Sequence, residues 1–200
     1  MRWLHPGGPA PALIEWFTPF VDEYETREDA YLVAEHVQGI SVKIRGGARL
    51  DIKVAGGDGG VLAVAGQERG RAQYWKKWSF PTPGVSDDDV VGVNWVRVGK
   101  RRRIGRFSVR NGVAAPHAGD AGGDETTCAV EVTDVLVGPQ RWWTLGFEAA
   151  GDRETLRGTL DATAALLLGD PLPAGLDLQM ADSISYAEWL DPPRGERSSR

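Results

Sequence analysis

The chain has 200 residues, a length that fits one domain or at most two. Its eight Trp, five Phe and four Tyr need a place to be buried, so a fully disordered protein is excluded. A single cysteine, Cys128, excludes an intramolecular disulfide framework and a zinc site of the Cys-x-x-Cys kind. No apolar run approaches the ~18–20 residues that span a bilayer, and no apolar segment typical of a secretory signal follows Met1. We therefore expect a cytoplasmic protein with no membrane partner.

The net charge of −5 conceals a basic middle segment. Residues 41–110 hold 15 of the 23 Lys and Arg but only six of the 28 Asp and Glu. A basic segment within an acidic chain indicates a site for a small anion, whereas proteins that coat nucleic acid are more often basic overall. Nucleic acid is therefore disfavoured as a partner. Solvated strand faces would give the same composition, and that interpretation stays open here.

Alternating apolar and polar residues predict strands. Ser41–Arg45 has its apolar residues on one face and Lys43 and Arg45 on the other, and Leu50–Val54 repeats the pattern with Lys53 on its polar face. Further strand candidates are Val61–Ala65, Gln73–Phe80, Val90–Val98, Lys100–Val109, Cys128–Val137 and Trp142–Glu148. About eight strands, mostly in hairpin order, favour an antiparallel sheet that closes into a barrel or splits into a sandwich.

Helices are predicted mainly near the C-terminus. Asp152 can cap a helix over Arg153–Leu168, and a short helix is expected over Asp182–Leu190. Gly- and Asp-rich stretches at 56–60, 81–89 and 111–125 have loop composition. The predicted fold is α+β and mostly β: a closed or nearly closed eight-stranded antiparallel barrel with one or two helices outside. Residues 12–190 form the domain, and 1–11 and 191–200 are expected to be flexible tails.

In a closed sheet the polar strand faces point inward. Cations that face one another in a low-dielectric interior repel strongly unless an anion binds among them. Lys43, Arg45 and Lys53 are the leading candidates for such a site, and the carboxylates of Glu131 and Glu148 also point away from the apolar side. Basic residues in one part of the wall and acidic residues in another suit a polyphosphate bridged by a divalent cation.

Several motifs in this chain, taken in order, resemble those of the CYTH, or triphosphate tunnel, family. They are Asp29-x-Tyr31-Leu32, Lys43-x-Arg45, Asp51-x-Lys53, Val98-x-Lys100-x-Arg102, Leu145-Gly146-Phe147-Glu148 and Ser185-Tyr186. The family includes class IV adenylyl cyclases, thiamine triphosphatases and inorganic triphosphatases. The resemblance implies a closed eight-stranded tunnel in which Lys and Arg hold a triphosphate and glutamates hold Mg²⁺ or Mn²⁺.

The acidic motifs of that family are incomplete in this chain. The opening Glu-x-Glu-x-Lys is matched to residues 15–19 and keeps only Glu15, and the late Glu-x-Glu keeps only Glu148. A metal site would therefore be assembled from Glu148, Glu131 and Glu15. The basic side is fuller, and the candidate phosphate ligands are Lys43, Arg45, Lys53, Lys77, Arg97, Lys100 and Arg102.

Alternation does not place all of these cations equally well. Lys100 and Arg102 share their parity with Val96 and Val98, so a bulge is needed to turn them inward, and Arg97 competes for the same role. No Ser, Cys or His nucleophile is required for hydrolysis of a phosphoanhydride, so water is the expected attacker and no catalytic residue is assigned.

The sequence therefore predicts metal-dependent hydrolysis of a triphosphate or short polyphosphate in a basic tunnel, with Mg²⁺ or Mn²⁺ as cofactor. The alternative is a non-catalytic protein that binds a small phosphorylated anion, whether triphosphate, polyphosphate or nucleotide. A lipocalin-like carrier of an apolar ligand is the competing architecture, and it requires Leu, Phe and Val on the inner face.

Overall fold

The computed structural model describes residues 1–33, 39–46, 49–83, 94–117, 126–169, 172–173 and 176–190. Within these ranges the chain forms nine strands and three helices: β1 (Arg2–Pro6), α1 (Pro11–Phe17), β2 (Glu23–Leu32), β3 (Ile40–Arg45), β4 (Arg49–Val64), β5 (Gln67–Pro81), β6 (Trp95–Arg110), β7 (Val113–Pro116), β8 (Thr127–Val137), β9 (Gln140–Ala150), α2 (Arg153–Leu167) and α3 (Tyr186–Leu190). The predicted mostly-β α+β fold is confirmed. No helix in this part of the chain is long and apolar enough to cross a membrane.

The strands form one antiparallel sheet that curls into a half-barrel. Its order is β1-β9-β8-β6-β2-β3-β4-β5, and β7 pairs with β6. Side chains and a short C-terminal segment join the end strands β1 and β5. The Trp3 indole donates to the Arg69 carbonyl at 2.7 Å, and the Ser183 hydroxyl accepts from the backbone N–H of Arg71 at 3.0 Å. We call this junction the seam, and it agrees with the predicted nearly closed barrel.

The apolar core lies outside the curled sheet. It includes the outward side chains of β8 and β9, with the buried faces of α1 and α2 packed over them: Val130, Val132, Leu145 and Phe147 beneath Leu13, Phe17, Leu160 and Ala164. In a strand the residues between these apolar positions point to the opposite face. The polar residues of the same strands therefore point into the half-barrel.

The Gly-rich stretch at 56–60 is a bend within one strand, and the prediction of a loop there is wrong. β4 continues through it, with register shifts against β5 after Ala55 and after Asp58. Gly57 and Gly60 take φ values of +116° and +81°, which residues with a Cβ rarely adopt. Because of this bend, the part of the β4–β5 hairpin that precedes it lines the interior. The part nearest the turn between β4 and β5 packs in the outer core beside α2.

Gly57→Ala is expected to destabilise the fold by about 1–3 kcal/mol, because alanine is strained at that φ. A Cβ at this position would meet no atom within 4 Å, so the cost is conformational rather than steric. Gly99→Ala is the matched control, since its Cβ would make only ordinary contacts with Leu136, beginning at 3.6 Å. Urea unfolding of both variants measures the difference. Equal midpoints would contradict the role given to the bend.

Two predictions about chain boundaries are also wrong. Residues 1–11 are not a tail, because β1 pairs with β9 from Arg2 opposite Gly146 to Pro6 opposite Trp142, and α1 begins at Pro11. The two strands predicted on either side of Gly99 are one strand, β6, whose pairing with β2 is unbroken. The predicted tail at 191–200, together with residues 84–93 and 118–125, lies outside the described residues.

The predicted helices differ in how well they match the structure. α2 has the expected N-cap, since the Asp152 carboxylate accepts from the backbone N–H of Glu154 at 3.2 Å. α3 is shorter than expected because its capping box begins at Ser185. The Ser185 hydroxyl accepts from the N–H of Glu188 at 3.3 Å, and the Glu188 carboxylate accepts from the N–H of Ser185 at 2.9 Å. This leaves Ser183 and Ile184 extended along the seam.

Candidate anion-binding site

A cavity of about 240 Å³ lies inside the half-barrel. Six of the seven predicted phosphate ligands line it: Lys43, Arg45, Lys53, Lys77, Lys100 and Arg102. Four further basic side chains in the lining are not among the predicted ones: Arg2, Arg27, Arg71 and Arg157. This many basic side chains is unlike the apolar inner face that a lipocalin-like carrier requires.

The register places like charges directly opposite each other on this inner face. Lys53 of β4 pairs with Lys77 of β5, and Arg27 of β2 pairs with Lys100 of β6. Directly opposed like charges destabilise a sheet. The fold therefore holds these cations together against their mutual repulsion.

β6 reaches the cavity without a bulge, contrary to the expectation from Val96 and Val98. Lys100 and Arg102 point inward in regular register. The two valines share that face farther along the strand, where they pack with Trp189 of α3 at one end of the half-barrel. The outer face of β6 carries Arg97. Its guanidinium pairs with Glu28 at 2.7 Å, so the structure does not bring it into the site.

Asp29 is the buried centre of the basic cluster. Its Oδ2 accepts from Nζ of Lys100 at 2.8 Å and from Nζ of Lys43 at 3.0 Å, and Nε of Arg27 lies 3.1 Å from Oδ1. Burial by itself raises the pKa of this carboxyl, but the three cations outweigh burial and hold the pKa far below its usual value. Asp29 therefore stays ionised and keeps the two lysines beside the cavity.

A second buried aspartate, Asp51, organises the neighbouring cations. Ser79 donates to its Oδ1 at 2.6 Å, and its Oδ2 lies 3.3 Å from Nζ of Lys77 and 3.6 Å from Nε of Arg45. Burial opposes ionisation, but the hydrogen bond from Ser79 and the nearby cations lower the pKa of Asp51. One aspartate therefore supports cations on both β3 and β5.

The two lysines beside Asp29 are the least hydrated cations of the site. Burial lowers the pKa of Lys43 to about 8, although Asp29 favours its charged form. Burial also holds the pKa of Lys100 well below the usual lysine value, and the charge of Lys43 adds to this effect. Lys100 donates to the Tyr31 hydroxyl at 2.6 Å and lies 4.1 Å from the centre of the Tyr186 ring. A bound anion would favour the charged form of both amines.

The predicted metal ligand Glu131 is buried between two guanidinium groups. One carboxylate oxygen lies 2.5 Å from Arg2, and the other accepts from Arg102. Burial raises the pKa of Glu131, but the two arginines hold it far below its usual value. Glu25 contacts the same Arg102 and also accepts from Arg27 at 2.7 Å.

Glu148 differs from these buried carboxylates. It extends from β9 across the seam side of the cavity to Lys53 of β4, with 3.0 Å between Oε1 and Nζ. Its side chain is 59% exposed and that of Lys53 is 29% exposed. The nearby ammonium of Lys53 lowers the pKa of Glu148 to about 2.

The three predicted metal ligands do not form a metal site. Glu15 lies on the exposed side of α1 and does not line the cavity. Glu131 and Glu148 are already ion-paired with basic side chains. Among the residues that the structure describes, no three His, Cys, Asp or Glu side chains are grouped so that they could hold a metal ion. The residues present therefore do not fit the Mg²⁺ or Mn²⁺ that the family resemblance implies.

One strand that was not predicted from the sequence, β2, carries a pattern that could have indicated it. Residues 15–19, which were matched to the family's opening motif, lie on α1 and the turn that follows it, so Glu15 is not on a strand that faces the cavity. The similar spacing Glu23-x-Glu25-x-Arg27 lies on β2, and two of its members reach the ion pairs around the cavity. Arg2 was missed because the N-terminus has the composition of a tail.

Cations outnumber carboxylates around the cavity. Arg71 and Arg157 pair with their own carboxylates, Asp58 and Asp161. Among the described residues, the remaining ion pairs around the cavity join eight side-chain cations to five carboxylates: Arg2, Arg27, Lys43, Arg45, Lys53, Lys77, Lys100 and Arg102 with Glu25, Asp29, Asp51, Glu131 and Glu148. The formal excess is three positive charges when both buried lysines are protonated. This excess is what a compact polyanion would neutralise.

Comparisons with known proteins establish no family for this chain. No protein-family model matches it, and no curated protein does. Among solved structures, it is similar to a conserved hypothetical protein from Pyrococcus furiosus, with 14% identity and a TM-score of 0.49 over 94% of this chain and 99% of that one. It is also similar to the PH1819 protein from Pyrococcus horikoshii, with 11% identity and a TM-score of 0.43 over 95% and 98% of the two chains. The function is therefore argued from the cavity.

Proposed function

We propose that this protein binds a triphosphate or a short polyphosphate, free or as the phosphate chain of a nucleotide, in the basic cavity. The observation that carries the proposal is the pair of like-charged cross-strand contacts, Lys53 with Lys77 and Arg27 with Lys100, that face one cavity. Each of these cations also has a carboxylate partner, but directly opposed like charges still oppose folding when no anion is bound. An anion among them removes that repulsion and gains charge-assisted hydrogen bonds.

The size of the cavity and the arrangement of its cations support a compact polyanion. At about 240 Å³ it is smaller than the ~300–1,000 Å³ of pockets for drug-sized ligands, so it suits a phosphate chain better than a whole nucleotide. Its cations come from β1, β2, β3, β4, β5 and β6, so they surround the ligand instead of forming one patch. The resemblance to the triphosphate tunnel family implies the same class of ligand.

Binding without turnover is the function that this geometry supports best. Metal-dependent hydrolysis, the activity expected from sequence, needs carboxylates that are free to hold a metal. Glu131 and Glu148 are instead neutralised by basic side chains. Hydrolysis stays a prediction, and a phosphate-release assay with tripolyphosphate and ATP in Mg²⁺ or Mn²⁺ tests it directly. Metal-dependent release would establish turnover.

Lys77→Ala is expected to weaken tripolyphosphate binding by about tenfold, because it removes one partly buried charge-assisted contact. Lys76→Ala is the matched control, since Lys76 is the adjacent residue of β5 and points to the opposite, exposed face. Its affinity should stay within about twofold of the wild-type value. Isothermal titration calorimetry of the three proteins measures the difference. Equal losses in both variants, or no binding by the wild type, would overturn the proposal.

A further inference from the structure

We propose that the ligand enters this cavity as a metal-free anion, and that it takes Lys53 from Glu148 when it binds. This inference rests on the proposed function. Three features of the cavity carry it: the pairing of the buried carboxylates, the sign of the surrounding charge, and the exposure of Glu148.

Glu131, the buried carboxylate among the predicted metal ligands, has no free oxygen for a metal ion. Both oxygens of Glu131 contact arginines, one on β1 and one on β6. To hold a divalent cation, Glu131 would have to leave Arg2 without its carboxylate partner and Arg102 with Glu25 alone, both in a buried place. Removing one partner of a buried ion pair costs about 3–5 kcal/mol. This cost makes Glu131 a structural carboxylate that fixes two arginines at the ligand.

The charge around the cavity opposes a metal and favours an anion. The eight cations and five carboxylates leave a positive excess, and Coulomb repulsion inside a protein is screened much less than in water. A divalent cation arriving alone would therefore be repelled. A metal-bound phosphate chain carries less negative charge than the free chain, so the free chain gains more from the same cations.

Glu148 is the carboxylate that the ligand can displace. Among the residues that the structure describes, its ion-pair partner is Lys53, and its side chain is more than half exposed, whereas Glu131 is almost completely buried between two arginines. When the ion pair breaks, Glu148 can turn into water and Lys53 can contact a phosphate oxygen. An exposed ion pair contributes only about 0.2–1 kcal/mol, so the exchange has a small cost. Glu148 thus acts as a resident counter-ion that competes with the ligand.

Calorimetric titration with tripolyphosphate, in EDTA and then in excess Mg²⁺, tests this inference. Binding is expected in EDTA and should weaken in Mg²⁺, because the metal complexes the free anion. Glu148→Gln should bind about two- to fivefold more tightly in EDTA, since the neutral amide no longer competes for Lys53. Glu15→Gln is the matched control, because Glu15 lies on the exposed side of α1 and its replacement should leave affinity unchanged. Urea unfolding checks that both variants are folded.

The possible failures are distinguishable. Binding that requires Mg²⁺ or Mn²⁺, stoichiometric binding of Mn²⁺ alone, or weaker binding by Glu148→Gln would each overturn the metal-free exchange and leave the proposed function standing. Equal affinity of Glu148→Gln and wild type would overturn the competition for Lys53. No tripolyphosphate binding in any condition would overturn the proposed function and this inference together.

Discussion

Asp29→Ala is expected to destabilise the protein by about 3–5 kcal/mol, the largest effect of any substitution considered for this chain. The side chain has no exposed surface, and it is the shared partner of Lys43, Lys100 and Arg27. Without it, Arg27 keeps Glu25, but among the described ion pairs Lys43 keeps only the more distant Asp51, at 3.9 Å, and Lys100 keeps no carboxylate. The loss of stability exceeds that from removing an exposed ion pair, because the remaining cations stay buried and desolvated.

The adjacent residue of β2 provides the control for Asp29. Glu28 points to the opposite face, where both side chains of its ion pair with Arg97 are exposed. Glu28→Ala should therefore change the unfolding free energy by less than about 1 kcal/mol. Urea denaturation of the two variants gives the comparison, and Asp29→Asn, which keeps the shape of the side chain, serves if Asp29→Ala does not fold. Similar losses at the two positions would show that Asp29 does not organise the cluster.

Tripolyphosphate affinity is expected to fall by about 10- to 30-fold between pH 7 and 9.5. Lys43 has a pKa of about 8 because it is buried, so its amine loses the proton that an anion requires within this range. The bound anion stabilises the charged amine and raises its pKa, so binding takes up a proton above pH 8 and each pH unit costs about tenfold in affinity. Tripolyphosphate itself becomes more negative over this range, which would strengthen binding, so a decrease must come from the protein.

Lys43→Met assigns this pH dependence to one residue. The variant should bind more weakly at pH 7 and should show a much shallower decline above pH 8, because its apolar side chain has no proton to lose. Calorimetry at several pH values, with circular dichroism to confirm the fold at each, measures both effects. A decline as steep as that of the wild type would assign the dependence to another group, and Lys100, whose pKa burial also lowers, would be next to test.

Local alternation was enough to predict part of the cavity wall. Lys43, Arg45 and Lys53 lie on strands whose polar and apolar residues alternate without interruption, and all three point inward as expected. The same logic failed on β6 because Val96 and Val98 lie on the inner face, where α3 covers them. Apolar residues on one face of a strand indicate that this face packs against another part of the molecule. Periodicity alone does not show whether it is the inner or the outer face of the sheet.

The ion pairs of the carboxylates at this site could not be predicted from local patterns, because they join residues far apart in sequence. Lys53 and Glu148 are 95 positions apart and lie on strands that are not neighbours in the sheet. Their ion pair follows from the curl of the whole sheet, and no local pattern contains that information. The composition of residues 1–11 was equally misleading, since β1 is stabilised by pairing with β9 and not by its own propensity. Tertiary context overrode the local signal in both places.

The pairing of β1 with β9 sets an order of events for the growing chain. Arg2 leaves the ribosome 144 residues before Gly146, its opposite residue in the sheet, and 129 residues before its carboxylate partner Glu131. β1 must therefore wait until β9 has been made, and such distant pairings slow folding. One guanidinium of the cavity arrives only with this late step. Ligand binding should consequently be among the last properties that the folding chain acquires.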